Sequence, residues 1–345
     1  MNELAQFCKD LKRDFIPKTR DPRKPVRFWS EKDVLDGKII DAYVIIFRTR
    51  GCSWALKSGC SMCGYFNDSM WEDVSDEDLI SQLNLAMSKY SGEKFIKIFT
   101  SGSFLDDSEI KPKVRKEILK NLTENAEKIS VESRPEYIND KTLKEIKSII
   151  GSKNFEIGIG LETYSDFVRE KCLNKGFKFY EYKEAADILK KQKIELKTYV
   201  LIKPPFLTEK ESIKDAVTTV EKIKNITDCI SLNPTNVQRN TFVSYLWNRK
   251  KYRPPWLFSI VEILKDSKKI LDDARIKCDT VGGGSIRGAH NCKLCDRKYL
   301  KAIEEFSLTQ NLNIFEGLDC ECKEKWLDQL DIEDLGFGSL TNMYG

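Results

Sequence analysis

Residues 42–66 read AYVIIFRTRGCSWALKSGCSMCGYF, a short β-branched apolar run that opens into a loop carrying Cys52, Cys60 and Cys63. A run so short and so rich in Val and Ile reads as a buried strand of a parallel sheet. The cysteines then lie just past its carboxyl end, where βα barrels assemble their active sites. The same pattern continues along the chain. After AYVIIF (42–47), strands are expected at FIKIFT (95–100), KISVES (128–133), FEIGIGLE (155–162), ELKTYVLI (195–202) and CISLNP (229–234), with helices near 76–90, 109–126, 139–149, 179–192, 209–225 and 256–272. Ser75 before Asp76, Glu77 and Asp78 is a helix start, and Thr208 with Glu211 three residues on makes a capping box. Alternating strands and helices specify a parallel α/β sheet. Six units fall short of the eight in a closed barrel, so the expected fold is a partial, TIM-like (β/α)6 barrel.

Composition fits a folded protein: 345 residues, 41% apolar and 32% charged. That length allows one large domain with an appendage. The expected division is a basic N-terminal arm (1–40), the barrel (41–275) and a Cys-rich metal-binding extension (276–345). No run approaches the ~18 apolar residues of a membrane helix, and the opening MNELAQFCKD lacks a signal peptide, so a cytoplasmic protein is expected. Eleven cysteines in such a chain point to metal rather than to disulfides. Cys8, Cys172 and Cys229 stand alone and read as buried, inert thiols.

Three close thiolates are one short of a full [4Fe–4S] set and leave one iron open. An open iron can chelate the amino and carboxylate groups of S-adenosylmethionine (SAM) and pass an electron into its sulfonium, which releases a 5′-deoxyadenosyl radical. A structural zinc site or an electron-carrier cluster is the alternative. Either would want a nearby fourth ligand, and no Cys or His lies between residues 9 and 51 or 64 and 171. The spacing Cys-x7-Cys-x2-Cys departs from the commonest radical SAM spacing, Cys-x3-Cys-x2-Cys, but resembles the widened loop of the Elongator catalytic subunit and of the archaeosine-forming radical SAM family RaSEA.

Further segments carry the resemblance. Tyr65 follows Gly64 where the superfamily contacts adenine. Ser101, Gly102 and Ser103 occupy the place of the Gly-rich stretch that holds the SAM amino group. VESRP supplies Glu132 and Arg134, and GLETYSDFVRE supplies Glu162 and Arg169. The resemblance implies that these eight residues bind SAM, carboxylates on its ribose or amino group and arginines on its carboxylate. Taken singly, an acidic residue at a strand end is as often only a helix cap.

In the tail, Cys292-x2-Cys295 and Cys320-x-Cys322 form two close pairs, the pattern of a four-cysteine zinc site. His290, the only histidine of the chain, and Cys278 compete for a position, and a second Fe–S cluster is the other metal to consider. Charge is uneven. Residues 9–27 hold eight Lys/Arg against three Asp, 235–301 fifteen against six acids, and 302–345 two against ten. From Arg239 to Trp256, Arg249, Lys250, Lys251 and Arg253 interleave with Phe242, Tyr245, Trp247 and Tyr252, a pattern suited to phosphates and stacked bases. A packed aromatic connector accounts for it as well.

A methylthiotransferase would carry another cysteine triad ahead of Cys52, where only Cys8 stands, and an Elongator enzyme would append an acetyltransferase domain. The chain resembles RaSEA through the basic arm, RGCSWALKSGCSMCGY, VESRP, GLET with VRE, SLNPTNVQ and RGAHNCKLCD. That resemblance implies a radical SAM carbon–nitrogen lyase acting on tRNA. Its substrate would be a 7-cyano-7-deazaguanine at position 15 already bearing lysine, attached by the partner transferase ArcS. An electron donor such as ferredoxin or flavodoxin would feed the cluster. Alternatives are an Elongator-like enzyme on another tRNA base, a radical SAM enzyme on a small molecule, and a non-catalytic Fe–S/zinc RNA-binding protein. Lys203, Asn233 and Gln238 are further residues expected at the barrel mouth.

Overall fold

All six expected strands are present, and in the computed structural model two more flank them. The structure describes residues 3–335 apart from 14 and 17, with residue 334 in backbone only; the last ten residues of the acidic run lie outside it. The sheet has eight strands in sequence order: β1 (Arg27–Leu35), β2 (Lys38–Ile46), β3 (Phe95–Phe99), β4 (Lys128–Glu132), β5 (Asn154–Glu162), β6 (Glu195–Ile202), β7 (Cys229–Pro234) and β8 (Arg275–Cys278). β2 to β8 run parallel, whereas β1 pairs antiparallel with β2. β1 therefore places the end of the basic arm in the sheet. Asp36 and Gly37, at φ +49° and +74°, make the tight turn between β1 and β2, a job for which Asp-Gly is the strongest short-range sequence signal. The arm's charge density hid that signal.

Alternation along the strands sorts the side chains into two environments. Ile96 and Ile98, Ile129 and Val131, Ile157 and Ile159, Ile230 and Leu232, and Ile276 and Cys278 are buried in the core shared with the helices. The opposite face is polar. Near the amino ends of the strands, Lys97 pairs with Glu31 at 2.6 Å and with Asp33, Lys128 with Glu156 at 3.0 Å, and Lys197 with Glu156. Arg275 and Lys277 of β8 reach Asp33 of β1 at 2.7 and 3.2 Å, so side chains bring the two edge strands together and the open sheet curls into a half-barrel. Four cations around Asp33 hold its carboxyl far below the usual range despite burial. Removing one partner of such a buried set costs about 3–5 kcal/mol.

Helices occupy the expected places: Asp76–Met87, Pro112–Asn125, Asp140–Ile150, Phe179–Lys191, Glu209–Ile223 and Leu257–Ile270. The Thr208 side chain accepts from the Glu211 N–H at 3.1 Å and Glu211 returns the bond at 2.8 Å, completing the capping box. Tail helices Asp296–Thr309 and Lys323–Leu335 lie against the barrel. Tyr299, Ile303, Phe306 and Trp326 enter its core, and the Trp326 indole donates to Ser259 at 2.9 Å.

Candidate active site

Cys52 precedes a short helix, Ser53–Lys57, and Gly51 before it has φ +101°, with Ser69 so close that a Cβ would meet its Oγ at 2.6 Å. Three distant segments then fix the loop. Trp54 donates to the Asn174 carbonyl at 2.7 Å, Asn174 donates to Gly59 O at 2.7 Å, and Ser61 donates to Leu173 O at 2.8 Å. From the arm, Lys12 Nζ donates to the carbonyls of Ala55 and Ser58 at 2.7 and 2.6 Å. From beyond β7, Gln238 accepts the Gly64 N–H. Burial pushes all three thiols up, Cys63 to about 12, while Lys175, Arg134 and Lys12 pull Cys60 the other way. The loop is a desolvated thiol set ringed by cations.

The strand ends gather around it. Gly102 after β3 approaches so closely that a Cβ would meet the Cys52 Cα at 2.6 Å. Ser101 donates to the Tyr65 carbonyl at 3.3 Å, and Ser103 Oγ accepts the Arg134 N–H at 3.0 Å. Glu109 fastens this turn, accepting from Thr49 at 2.5 Å and the Ser103 N–H at 2.6 Å, and burial lifts its pKa to about 7. Glu132 ends β4 half-buried; burial lifts it to about 7 as well, against a hydrogen bond from Tyr199. Arg134 lies 5.4 Å from the ring centres of both Trp54 and Phe177 and donates to Lys175 O at 3.0 Å. Glu162 closes β5 at a bulge with φ +70° and pairs with Lys175 at 2.6 Å. Tyr65 leaves 58% of its surface open, close to Cys63, Glu132 and Asp279.

Arg169 corrects the expectation set for it. It is 1% exposed, and its guanidinium donates to Thr163 O, to Asp166 and, at 3.1 Å, to Phe177 O. It braces its own loop and offers nothing to a cofactor carboxylate. Lys203 is likewise closed off, paired at 2.5 Å with Glu209, which is fully buried and accepts from Ser259 at 2.6 Å. Lys12, Glu109, Asn174 and Lys175 were passed over. The Asn-Lys-Gly run at 174–176 carried a signal, because Asn174 and Gly176 both take positive φ.

The tail cysteines converge. Sγ–Sγ distances are 3.5 Å for Cys292–Cys295 and Cys320–Cys322, and 3.7 Å for Cys292–Cys320 and Cys295–Cys322. All four lie within 4.8 Å of one another. The two rivals are elsewhere: His290 Nδ1 is 2.8 Å from Gly288 O, and Cys278 is buried under Ser307. Cys8, Cys172 and Cys229 are buried, and Cys8 lies within electrostatic reach of Lys12 and Cys60. Between Arg239 and Trp256 the connector reading holds for the rings, since Phe242 and Tyr245 pack on Phe7 at 5.3 and 4.8 Å and Tyr252 donates to Lys203 O at 2.7 Å. Arg239, Arg249, Lys250 and Lys251 remain exposed.

Residues 46–217 match the model of the radical SAM superfamily. The chain is 42% identical to archaeosine synthase subunit beta of Methanosarcina acetivorans over 97% of its own length and 98% of that protein's. The chain belongs to the archaeosine synthase beta-subunit family of radical SAM proteins. Archaeosine synthase subunit beta of Thermococcus kodakarensis is 40% identical over 87% of this chain and 94% of that one. Among solved structures, Methanocaldococcus infernus Elp3 with its N-terminus deleted aligns over 71% of this chain and 59% of its own, at 16% identity and TM-score 0.47. Membership in the radical SAM superfamily brings a [4Fe–4S] cluster and SAM, and the loop fits them. It has three half-buried thiols, no fourth Cys or His in the adjoining sequence, and three cations placed to offset thiolate charge. No helix among the described residues is long and apolar enough to cross a membrane.

Proposed function

We propose that this chain is the radical SAM subunit that finishes archaeosine in tRNA, cleaving a carbon–nitrogen bond of a lysine-bearing 7-deazaguanine at position 15. The observation that carries the reading is the three-cysteine loop at the mouth of a polar half-barrel in a chain that is collinear with archaeosine synthase beta subunits. Cys52, Cys60 and Cys63 would hold the cluster. When bound, the cluster and SAM supply one-electron cleavage of the sulfonium and hence a hydrogen-abstracting carbon radical.

The protein's part is to bind, orient and exclude water. Tyr65, Ser101, Gly102, Ser103, Glu132, Arg134 and Glu162 surround the SAM position, while Arg169 and Lys175 stiffen the segment that carries Glu162. Burial holds Glu132 near 7, and the Tyr199 hydroxyl donates to it and fixes its carboxyl at the end of β4. Hydrogen would leave the lysine carbon next to the bridging nitrogen. The carbon radical so formed would give up a second electron, back to the oxidised cluster, and a proton to become a C=N bond, and water adding at that carbon would break it, leaving a formamidine on the base and releasing the lysine fragment as an aldehyde.

Exposed Lys9, Arg13, Lys18, Arg23 and Lys24 on the arm, with Arg239, Arg249, Lys250 and Lys251, would take tRNA phosphates. An ArcS-type lysine transferase is the partner, a ferredoxin or flavodoxin the electron donor, and the cytoplasm the setting. For the tail, tetrahedral Zn–S bonds of about 2.3 Å place sulfurs about 3.8 Å apart, close to the spacing observed. That favours a single zinc ion over a second cluster. The test is an anaerobic reaction of the reconstituted protein with SAM, dithionite and lysine-modified tRNA, followed by mass spectrometry of the nucleosides. Formamidine at position 15 is expected. Failure of a cluster-loaded sample to form any 5′-deoxyadenosine would sink the enzyme reading.

A further inference from the structure

The inner face of the half-barrel carries alternate residues of each strand, and on β8 these are Arg275 and Lys277. Continued one step, the alternation puts Asp279 on the same face, past the carboxyl end of the strand. Its N–H donates to Leu232 O at 3.0 Å, which fixes the residue at the end of β7 beside Asn233. Asp279 is also close enough to Tyr65 to bear on its phenol, so it stands across the mouth from the cysteine loop.

Its isolation sets Asp279 apart. The other acids of this face have partners: Glu31 and Asp33 pair with Lys97, Glu156 with Lys128 and Lys197, Glu195 with Lys128, Glu162 with Lys175, and Glu132 accepts from Tyr199. Asp279 forms no ion pair among the described residues and accepts only the Val281 N–H. Desolvation by the surrounding protein and the charge of Glu31 push its carboxyl up, against the pull of Lys277 and Lys97. Asp279 is exposed to the open barrel mouth, and an unpaired carboxylate there is a receptor for a cation that can donate hydrogen bonds. Asn233, whose Oδ1 takes only the Ser231 hydroxyl at 3.2 Å, adds an acceptor on the next strand.

The substrate proposed above supplies such a cation. Lysine joined through its side-chain amine keeps a free α-amino group, charged at neutral pH. Resting on that reading of the substrate, we propose that Asp279, seconded by Asn233, binds the α-ammonium group of the lysine moiety and so selects lysine at the barrel mouth. SAM also carries an α-ammonium, and the experiment separates the two.

Full-length wild type, Asp279→Asn and Asp279→Ala are reconstituted and matched for iron content and circular dichroism. Each is assayed on tRNA bearing lysine and on tRNA bearing 6-aminohexanoate, which lacks the α-amino group, at the same base. Asp279→Asn is expected to raise KM for the lysine-bearing tRNA at least tenfold, leaving SAM affinity and substrate-free 5′-deoxyadenosine formation unchanged. Wild type is expected to treat the aminohexanoate tRNA as poorly as the variants do. An unchanged KM in both variants, or a loss of SAM affinity, overturns the proposal while leaving the enzymatic reading in place. A wild type that forms 5′-deoxyadenosine yet converts neither tRNA removes the proposed substrate, and this inference with it.

Discussion

The two cysteine regions of this protein use the same ligand atom to opposite ends. In the tail, four sulfurs lie within 4.8 Å of one another, Asn291 donates to Cys295, and the four thiols make a complete ligand set. At the barrel mouth, three cysteines share a loop held by Lys12, Asn174 and Gln238, surrounded by strand ends and open toward Tyr65. Count and setting, rather than the thiol itself, separate a staple from a reaction centre. A fourth thiolate closes the shell, and a missing one at the carboxyl end of a parallel sheet leaves room for a substrate.

The sharpest way to break the comparison is to remove one ligand from each region. Cys60→Ala should abolish iron binding at the mouth and cut 5′-deoxyadenosine formation by more than ~10³-fold, the scale seen when one member of a unit acting together is removed. Metal in the tail should stay stoichiometric, as elemental analysis per chain would show. A variant that kept both its mouth iron and SAM cleavage would mean the loop is not the cluster site.

Cys295→Ser should do the reverse. Besides the proposed metal site, the tail holds Asn291, whose side-chain oxygen accepts from Leu257 N at 2.7 Å and so caps the helix Leu257–Ile270. Losing the metal and disturbing that cap together should cost at least ~3 kcal/mol, because metal binding at a structural site is folding free energy. Thermal unfolding with and without a chelator measures it. SAM cleavage per folded molecule should persist, and an unchanged melting curve would show that the knuckle staples nothing.

The sequence made the parallel sheet legible because its outer face is rich in Ile, Val and Leu in short runs, a signal that needs no long-range knowledge. The mouth cysteines were equally plain, since ligand spacing is local. β1 was missed because its residues are charged on the face that meets Lys97, Arg275 and Lys277; only after folding does Asp33 become a core residue, 2% exposed. Arg169 was misread for the same reason. Its assignment rested on the resemblance of the GLET and VRE segment, but the π-helical turn Arg169–Leu173 folds the guanidinium back onto Thr163 O. Asp279 lay in Gly-rich text with no periodicity, and only the register of β8 against β7 gave it a direction.

The smallest expected effect concerns what keeps the mouth loop in place. Glu109 is 6% exposed and joins Thr49, before Cys52, to Ser103 in the turn that abuts it, and its folded pKa is about 7 against an ordinary 4.5. Below about pH 4.5 the group is protonated in both folded and unfolded chains and contributes no pH dependence. As pH rises toward 7 the unfolded chain ionises first, so the folded state loses up to ~3 kcal/mol relative to it, and the loss levels off above 7. Glu132, near 7, and Asp215, near 6, slope the same way, whereas the depressed Asp33 and Glu156 act at lower pH. Glu109→Gln should therefore flatten part of the decline in melting temperature of the cluster-free protein between pH 5 and 7, without touching the metal in the tail. If the variant follows the wild-type slope, Glu109 is not the buried acid that burdens the mouth.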